Sequence, residues 1–173
     1  MTPTGPADGL QARHPVPDDH PRVLAVMDRW WGGLYGESGA QQRAMLLPRL
    51  FFQHFTDSSQ VVEDGDGRLV AFLVGFLSPA QPEVGYVHFG GVDPALRRSG
   101  LATGLYDWFT QRSARHGARV VRCITSPANV TSIAFHTGIG FEVDPGDTVV
   151  DGVPVQRDYD GPGLDRVTFT RRL

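Results

Sequence analysis

The feature that most constrains the fold is an apolar, β-prone run at residues 84–92 that leads through a short loop into a helical pattern. In that pattern Leu101, Leu105, Trp108 and Phe109 recur at the spacing that places side chains on one face of a helix. The segment therefore predicts a strand, a loop and a helix in succession. The first turn of such a helix has unpaired N–H groups and the positive end of the helix dipole, which together favour a bound phosphate.

The loop between this strand and helix has the composition of a diphosphate-binding site. Two arginines supply positive charge, and the small residues Gly100 and Ala102 allow a ligand to approach the backbone closely. An ordinary strand-to-helix connection is the alternative when this segment is taken alone. On the first interpretation the diphosphate is bound by the loop and the first helical turn: Arg97, Arg98, Ser99, Gly100, Leu101, Ala102 and Thr103.

Two motifs resemble those of one known family. Arg97-x-x-Gly100-x-Ala102 resembles the R/Q-x-x-G-x-G/A signature of the GNAT superfamily of acyl-CoA-dependent N-acetyltransferases. Further along the chain, Asn129-x-x-Ser132-x-x-Phe135-His136-x-x-x-Gly140-Phe141 resembles the family segment N-x-x-A/S…Y-x-x-x-G-F. Because both motifs occur in the right order and spacing, together they are more specific than either alone.

The resemblance implies both a fold and a reaction. The fold is α/β (α+β), with a mixed, mostly antiparallel central sheet of about six or seven strands and helices on both faces. A splayed parallel strand pair binds coenzyme A. The reaction is transfer of an acetyl group from acetyl-CoA to a primary amine, by direct attack and without an acyl-enzyme. We expect the amine of a small molecule; the alternatives are a protein or peptide amine, a longer acyl donor, or a catalytically weak acyl-CoA-binding sensor.

Gly90 and Gly91 stand near the end of the predicted strand, where glycine weakens pairing unless the backbone geometry is used. The resemblance implies a bulge here that admits the pantetheine arm. One of the N–H groups of Gly90, Gly91 and Val92 would then bond the thioester oxygen. The alternative is that the two glycines only make room for a packed helix.

Two histidines are the predicted catalytic residues. The family usually has a tyrosine that protonates the departing thiolate, and His136 occupies that position here. We predict His136 as that acid or as a hydrogen-bond donor to the sulfur, with simple packing as the alternative. His88 lies where the similar serotonin-type arylalkylamine acetyltransferases have a catalytic histidine, so we predict it as the base for the amine, with a core histidine as the alternative. Tyr86 falls where those enzymes have a second histidine, and we place it in the acceptor site.

Other site residues follow from the family's architecture. Asn129 and Ser132 of the second motif are predicted to contact the pantetheine or to position the loop beside it, and asparagine also suits a helix cap. The acceptor pocket of the family is formed by the first two helices and the late hairpin, which supply Trp31 and Tyr159 here. Aromatic and acidic residues in these segments suit a cationic amine, with core packing and solvated loops as the alternative.

The remaining sequence predicts a single domain at residues 9–173, preceded by a disordered segment at residues 1–8. Aspartates at positions 18 and 19 and Pro21 mark a helix start, and Gly65-Asp66-Gly67 marks a hairpin. Gly32-Gly33 ends or bends the first helix, and a second helix at residues 40–54 is interrupted or kinked near Pro48. The other predicted elements are strands at 10–14, 60–64, 68–77, 119–125, 148–157 and 166–172 and a helix at 129–137.

Composition excludes several function classes. With a formal net charge of −3 from nearly balanced acidic and basic residues, the chain has no sign of a nucleic-acid surface. The absence of a long apolar run and of signal-peptide features predicts no membrane contact and a cytoplasmic location. The single cysteine, Cys123, fits a reducing compartment, and the scattered histidines predict no metal site. Family members are often monomers or homodimers, and we expect one of these states.

Overall fold

A computed structural model of the protein describes residues 9–31, 41–42 and 44–173. The predicted disordered segment at residues 1–8, the helix stop at Gly32-Gly33 and position 40 lie outside the described residues. The described residues include the α-helices α1 (Asp19–Trp30), α2 (Phe51–His54), α3 (Leu101–Arg115) and α4 (Val130–Gly138). They also include the strands β1 (Gln11–Arg13), β2 (Gln60–Glu63), β3 (Leu69–Leu77), β4 (Val84–Val92), β5 (Val120–Thr125), β6 (Glu142–Val143), β7 (Thr148–Val150), β8 (Val153–Val155) and β9 (Val167–Arg172).

Seven of the strands form a mixed sheet in the order β1-β2-β3-β4-β5-β9-β6. The β1–β2, β2–β3, β5–β9 and β6–β9 pairs are antiparallel, whereas β4 and β5 are parallel. The predicted fold class, a mostly antiparallel sheet with one parallel pair, is therefore confirmed. The chain divides into two compact units, and the prediction of a single domain stays a prediction.

The first unit comprises the chain up to Phe76 together with Phe89–Arg112. Helix α1 forms because its apolar residues recur every three or four positions and so present one apolar face. That face joins a core of buried side chains: Val23, Val26, Met27, Trp30, Leu47, Phe52, Val61, Leu69, Phe72 and Val74.

A network of four charges, in which Asp19 is buried and the other three residues are half-buried, fixes the start of α1 in this unit. The helix starts where the aspartates and Pro21 predict, although Asp18 at the cap position makes no side-chain cap hydrogen bond. Asp19, whose side chain is 2% exposed, instead pairs with Arg13 at 2.7 Å and with Arg22 at 2.7 Å. Both arginines also contact Glu63 of β2, at 2.9 Å and 2.6 Å. The network therefore links β1, β2 and α1 around one buried carboxylate.

Two local predictions in the first unit are confirmed. The glycine-flanked turn at residues 65–67 joins antiparallel strands, and the Asp64 carboxylate accepts the N–H groups of Asp66 and Arg68 at 3.1 Å and 2.9 Å. Residues 41, 42 and 44–46 are helical, the helix is interrupted around Pro48, and α2 begins at Phe51. Proline has no N–H to continue a helix, which explains the interruption.

The second unit comprises Leu77–His88 and Ser113–Leu173. Its buried side chains come from the start of β4, from β5, from β9 and from the segments around them: Val84, Val87, Ala118, Val121, Cys123, Phe141, Val155, Val167 and Phe169. The predicted strand at residues 119–125 and the helix at 129–137 correspond to β5 and α4. Within the described ranges, no helix has the length and apolar character needed to cross a membrane.

The prediction of one strand over residues 148–157 is wrong. The segment forms a two-stranded sheet of its own, in which β7 and β8 pair antiparallel around Asp151-Gly152. Both turn residues have positive φ, 49° and 81°, which is the conformation of a tight two-residue hairpin turn. The Asp-Gly pair is a strong hairpin signal, so the sequence contained the information that the strand is interrupted.

Candidate functional site

The predicted phosphate loop lies in the first unit, between β4 and α3. The Asp93 carboxylate accepts the N–H of Ala95 at 2.9 Å and begins a short 3-10 turn at Pro94–Leu96. Beyond this turn Arg98 and Gly100 both have left-handed backbone, with φ of 63° and 84°. That conformation suits glycine at position 100 and is unfavourable for arginine by about 1 kcal/mol. The loop is therefore a tightly turned segment with two of its residues in left-handed conformations.

The first turn of α3 directs backbone donors towards this loop. The first hydrogen bond of the helix runs from the Gly104 N–H to the Gly100 carbonyl at 2.9 Å. The N–H groups of Leu101, Ala102 and Thr103 therefore precede the helical ladder, and Gly100 has no side chain that could accept from them. The loop residues just before them are exposed: Arg97, Arg98, Ser99 and Gly100. Chemically, this arrangement can bind an anionic group at the helix N-terminus.

Gly90 and Gly91 differ in what surrounds them. A Cβ atom at Gly91 would lie 2.8 Å from Cη2 of Trp31 and 3.0 Å from Cε1 of Phe72. Among the described residues, a Cβ atom at Gly90 would meet the Phe72 carbonyl oxygen alone, at an ordinary 3.4 Å. A side chain at position 91 would clash with two aromatic rings, so packing accounts for Gly91. The described residues around position 90 do not require a glycine there.

Trp31, a predicted acceptor-site residue, lies in an aromatic cluster of the first unit. It follows α1 directly, and its ring centroid is 5.9 Å from that of Phe89 in an edge-on arrangement. Phe89 stacks on Phe72 at 6.2 Å, and Phe72 stacks on Trp30 at 6.0 Å. The half-buried Trp31 ring therefore covers one face of the β4 backbone at Gly91.

In the second unit, the parallel pairing of β4 with β5 is short. It runs from Val84↔Val120 to Tyr86↔Arg122, and its register contains no further pair along these two fully described strands. Strand β5 continues to Thr125, which pairs with Val167 of β9. The carboxyl-terminal half of β5 is therefore paired on its β9 side only, which fits the predicted splayed pair.

Tyr86 and His88 lie next to the end of this parallel pairing. Both are half-buried, and their spacing of two residues places them on one face of β4. Burial, reinforced by the nearby ionisable groups of Tyr159, Cys123 and Asp160, raises the pKa of Tyr86 well above its ordinary range. The Tyr86 hydroxyl is therefore protonated at neutral pH and can donate a hydrogen bond.

His136 is packed into the core of the second unit and is 5% exposed. Its ring stacks on Phe169 at 5.0 Å and meets Phe141 edge-on at 5.6 Å. Its Nδ1 lies 2.7 Å from the carbonyl oxygen of Ser132, which can only accept, so Nδ1 carries the proton. Burial lowers the pKa of His136, so the ring is neutral at pH 7 and its Nε2 has a lone pair rather than a proton. In this tautomer Nε2 accepts a hydrogen bond rather than donating one, and the role of His136 at the sulfur stays a prediction.

The other two residues of the second motif organise the start of α4. The side-chain oxygen of Asn129 accepts the N–H of Ser132 at 3.1 Å, which is the helix cap that the sequence predicted as one of its roles. The Ser132 hydroxyl also lies 3.2 Å from Nδ1 of His136. Contact of Asn129 or Ser132 with pantetheine stays a prediction.

The late loop of the second unit contains Tyr159, which is 51% exposed, and an ion pair that the sequence analysis did not select. Nε of Arg166 donates to Oδ2 of Asp160 at 2.6 Å. From the sequence, this loop is distinguished only by its aromatic and acidic residues, and Arg166 is the start of a predicted strand. The one sequence signal was an arginine that follows three aspartates across a glycine-rich turn, and such a pattern is common on protein surfaces.

Comparison with known proteins identifies the family. The model of the acetyltransferase (GNAT) family matches residues 24–141, which is more than half of the chain. The chain belongs to this family. The described residues contain no group of three or more histidine, cysteine or acidic side chains that could hold a metal ion.

Among curated proteins, the chain is similar to L-2,4-diaminobutyric acid acetyltransferases of two bacteria. It is 35% identical to that of Nocardia farcinica over 46% of this chain and 41% of the relative. It is 36% identical to that of Streptomyces coelicolor over 48% of this chain and 49% of the relative. The matched segments thus span less than half the length of these relatives.

Among solved structures, the chain resembles the diaminobutyrate acetyltransferase of Paenibacillus lautus in complex with L-2,4-diaminobutyric acid and coenzyme A. The TM-score is 0.66 over 94% of each chain, at 24% sequence identity. Ard1 of Thermoplasma volcanium gives a TM-score of 0.68 at 18% identity, over 95% of this chain and 98% of the other. These likenesses establish the shared fold.

Proposed function

We propose that the protein is an N-acetyltransferase that transfers the acetyl group of acetyl-CoA to an amine of a small molecule. The observation that carries this proposal is the start of α3, where Gly100 is left-handed, has no side chain of its own to cap the helix, and directly precedes the first-turn N–H groups. The two arginines of the same loop supply positive charge for a diphosphate. Membership of the GNAT family, whose members use acetyl-CoA as co-substrate, supports this cofactor.

The reaction needs few groups from the protein. The amine nitrogen attacks the thioester carbonyl carbon, a C–N bond forms, the C–S bond breaks, and the electron pair leaves with the sulfur. The attacking amine must lose one proton to a base, and the thiolate takes up a proton from solvent or from the protein. A backbone N–H beside the carbonyl oxygen stabilises the negative charge that develops there.

We assign these tasks mainly to strand β4. Gly90 lacks the close packing that explains its neighbour, so its N–H is our candidate donor to the thioester oxygen. His88, two residues earlier on the same strand, is our candidate base, with Tyr86 donating a hydrogen bond to the acceptor. Trp31 is our candidate wall of the acceptor site. The names of the similar curated proteins make L-2,4-diaminobutyrate the first acceptor to test.

The test is release of free thiol from acetyl-CoA across a panel of amines, with the products confirmed by mass spectrometry. The panel contains L-2,4-diaminobutyrate, other amino acids, polyamines, arylalkylamines, aminoglycosides and short peptides. Turnover on a small amine would support the proposal. Measurable acetyl-CoA binding without turnover on any amine would contradict it and favour an acyl-CoA-binding sensor, and turnover on peptides alone would favour a protein acetyltransferase.

Two matched glycine variants test the phosphate loop separately. Gly100→Ala and Gly67→Ala both put a side chain on left-handed backbone, at φ of 84° and 75°, and no described residue lies within 4 Å of either new Cβ. Their intrinsic backbone cost is therefore similar, about 1 kcal/mol. We expect Gly100→Ala to raise the Kd for acetyl-CoA about tenfold or more, and Gly67→Ala, in the β2–β3 hairpin, to leave it unchanged. Equal Kd values for the two variants would refute the assignment of this loop.

A further inference from the structure

We infer that the Asp160–Arg166 ion pair binds the zwitterionic α-amino acid head of the acceptor. The pair would hold the carboxylate and the ammonium group of that head, and thereby select amines that carry one. This inference rests on the proposed acetyltransferase function and names the class of acceptor for the same site.

The pair has unused hydrogen-bonding capacity on both partners. Arg166 donates through Nε to Oδ2 of Asp160 and through Nη1 to the carbonyl oxygen of Asp165 at 2.8 Å. In the part of the chain that the structure describes, Nη2 of Arg166 and Oδ1 of Asp160 have no hydrogen-bond partner. The pair thus presents donors and an acceptor side by side. An α-amino acid head presents the complementary set, a carboxylate that accepts and an ammonium that donates.

The four-charge network of the first unit shows what a saturated structural pair looks like in the same protein. There Oδ1 of Asp19 accepts from Arg13 and Arg22, and Oδ2 accepts from Arg13 and from the Val16 N–H. Both oxygens are used, and the Asp19 side chain is 2% exposed. Asp160, at 38% exposure, and Arg166, at 18%, are instead only partly covered, so a ligand can reach them.

The backbone holds the pair in a defined place. Arg166 exchanges two hydrogen bonds with Gln156, at 2.8 Å and 3.0 Å, and the Asp160 N–H donates to the Leu164 carbonyl at 3.2 Å. Arg166 directly precedes Val167, which pairs with Thr125 at the carboxyl end of β5. The pair therefore lies in the second unit at the end of β5 beyond its parallel pairing with β4.

The sheet register places the pair on the same side of the second unit as Tyr86. Tyr86 pairs with Arg122 of β5, and Thr125, three residues further along β5, pairs with Val167, the residue after Arg166. Tyr86 shares its strand face with His88, the proposed base. An amino acid held by its head at the ion pair would therefore extend its side-chain amine along a surface that already contains the proposed acceptor-site residues of β4.

The first test uses the unmodified protein and three amines that differ only in the head. L-2,4-diaminobutyrate has the whole head, 1,3-diaminopropane lacks the carboxylate, and 4-aminobutyrate lacks the α-ammonium. We expect kcat/KM for each truncated amine to be lower by about 10- to 100-fold, as expected for loss of a charge-assisted hydrogen bond. Equal kcat/KM values for the three amines, with clear turnover, would overturn the inference and leave the proposed function standing.

Variants then assign the two halves of the head. Arg166→Gln should raise the KM for L-2,4-diaminobutyrate about 10-fold or more and leave the KM for 1,3-diaminopropane unchanged. Asp160→Asn should raise the KM for L-2,4-diaminobutyrate and leave that for 4-aminobutyrate unchanged. The matched controls are Arg157→Gln and Asp151→Asn, which change the same residue types on exposed positions of the β7–β8 hairpin region. A purely structural pair would change all three KM values together, and that result would overturn the inference.

Binding decides the inference if no amine is turned over. In that case the proposed function fails, and isothermal titration of L-2,4-diaminobutyrate into the wild-type protein and Arg166→Gln is the readout. Binding that is weakened about 10-fold or more in the variant would support the inference, and absence of binding to the wild-type protein would overturn it. If Arg166→Gln does not fold, Arg166→Lys replaces it, because lysine keeps the charge but lacks the planar fork of donors.

Discussion

Gly91→Ala offers a sharp test of how β4 is packed, because one added methyl group meets two aromatic rings. The new Cβ would lie 2.8 Å from Cη2 of Trp31 and 3.0 Å from Cε1 of Phe72. Carbon atoms in contact prefer separations of about 3.5–4.0 Å, so one or both rings must move by roughly 0.5–1 Å. Phe72 is fully buried and stacks on two neighbours, so the rings have little room to adjust.

We expect Gly91→Ala to lower the free energy of unfolding by about 1–3 kcal/mol, the usual result of overpacking a filled core. For a chain of this length that corresponds to a fall in Tm of roughly 2–12 °C. Gly90→Ala is the matched control on the neighbouring residue. Among the described residues its Cβ meets the Phe72 carbonyl oxygen alone, at 3.4 Å, and neither glycine has positive φ. Because alanine restricts the unfolded chain more than glycine does, Gly90→Ala should be neutral or stabilising by up to about 1 kcal/mol.

Urea denaturation of both variants, alone and combined with Trp31→Ala, is the assay. If the Trp31 ring causes the clash, Gly91→Ala should destabilise the Trp31→Ala background less than the wild type, with a coupling energy of about 0.5–3 kcal/mol. Equal effects of Gly90→Ala and Gly91→Ala, or a zero coupling energy with Trp31, would refute the packing argument. Either result would show that the Trp31 ring does not cover Gly91 as described.

Three further predictions concern stability, pH and His136. Asp19→Ala should lower the free energy of unfolding by about 2–4 kcal/mol, because it leaves Arg13 and Arg22 without their buried partner; Asp18→Ala, at an exposed position, should have no measurable effect in the same urea titration. Hydrogen bonds from Arg13 and Arg22 hold the pKa of Glu63 below its ordinary value. Burial alone would raise the pKa of Asp19, but hydrogen bonds from Arg13 and from the Val16 N–H outweigh it and lower that pKa as well. At acidic pH the unfolded chain therefore binds more protons than the folded protein, so the free energy of unfolding should fall as pH drops from about 5 towards the lower pKa values of the folded state. Glu63→Gln should make this pH dependence shallower, and an unchanged slope would contradict the role of the network. His136→Phe should cost about 1 kcal/mol of stability through the lost hydrogen bond to Ser132 and keep kcat within a few-fold of wild type, whereas a 100-fold loss of kcat with an intact fold would support the acid role.

Most of the fold could be predicted because the periodicity and turn residues of each segment agree with the secondary structure that the strand pairing of the sheet requires. The strand at residues 84–92 and the helix that follows it have unambiguous periodicity, and the hairpin at residues 65–67 has the turn residues that its geometry needs. The two-residue strand β6 was missed because a segment that short has no periodicity to detect. The β7–β8 hairpin was not predicted because valines lie on both sides of the turn, so residues 148–157 resemble one continuous apolar strand despite the Asp-Gly pair.

The candidate site was less predictable because its key features depend on contacts distant in sequence. Trp31 and Gly91 are 60 positions apart in the sequence. No local pattern shows that the Trp31 ring occupies the space where a side chain at position 91 would lie. The ion pair of Asp160 with Arg166 is closer in sequence, but backbone hydrogen bonds of the late loop, such as those between Arg166 and Gln156, bring the two side chains together. The tautomer of His136 follows from a carbonyl one helical turn away, which a motif cannot specify.

The replacement of the family's tyrosine by a buried histidine raises the question of which proton transfer limits the reaction. A free alkyl ammonium has a pKa of about 10.4, so at pH 7 its deprotonation is uphill by about 4.6 kcal/mol. A departing thiolate with a pKa near that of cysteine, about 8.5, gains only about 2 kcal/mol from protonation at pH 7. Deprotonation of the amine therefore involves the larger free energy, so the reaction depends more on a base for the amine than on an acid for the sulfur.

On that argument the proposed base on β4 should matter more than the residue at the family's tyrosine position. We expect His88→Gln to lower kcat/KM for the best amine by about 100-fold or more, within the range known for general bases, and to lose less at pH 9 than at pH 7. His136→Phe should show a smaller loss with no change in pH profile. The comparison is a pH titration of kcat/KM for both variants with the Kd for acetyl-CoA measured alongside. If His136→Phe lowers kcat/KM more than His88→Gln while its fold and acetyl-CoA affinity are intact, protonation of the sulfur rather than deprotonation of the amine limits the reaction. The assignment of the main proton transfer to β4 would then be wrong.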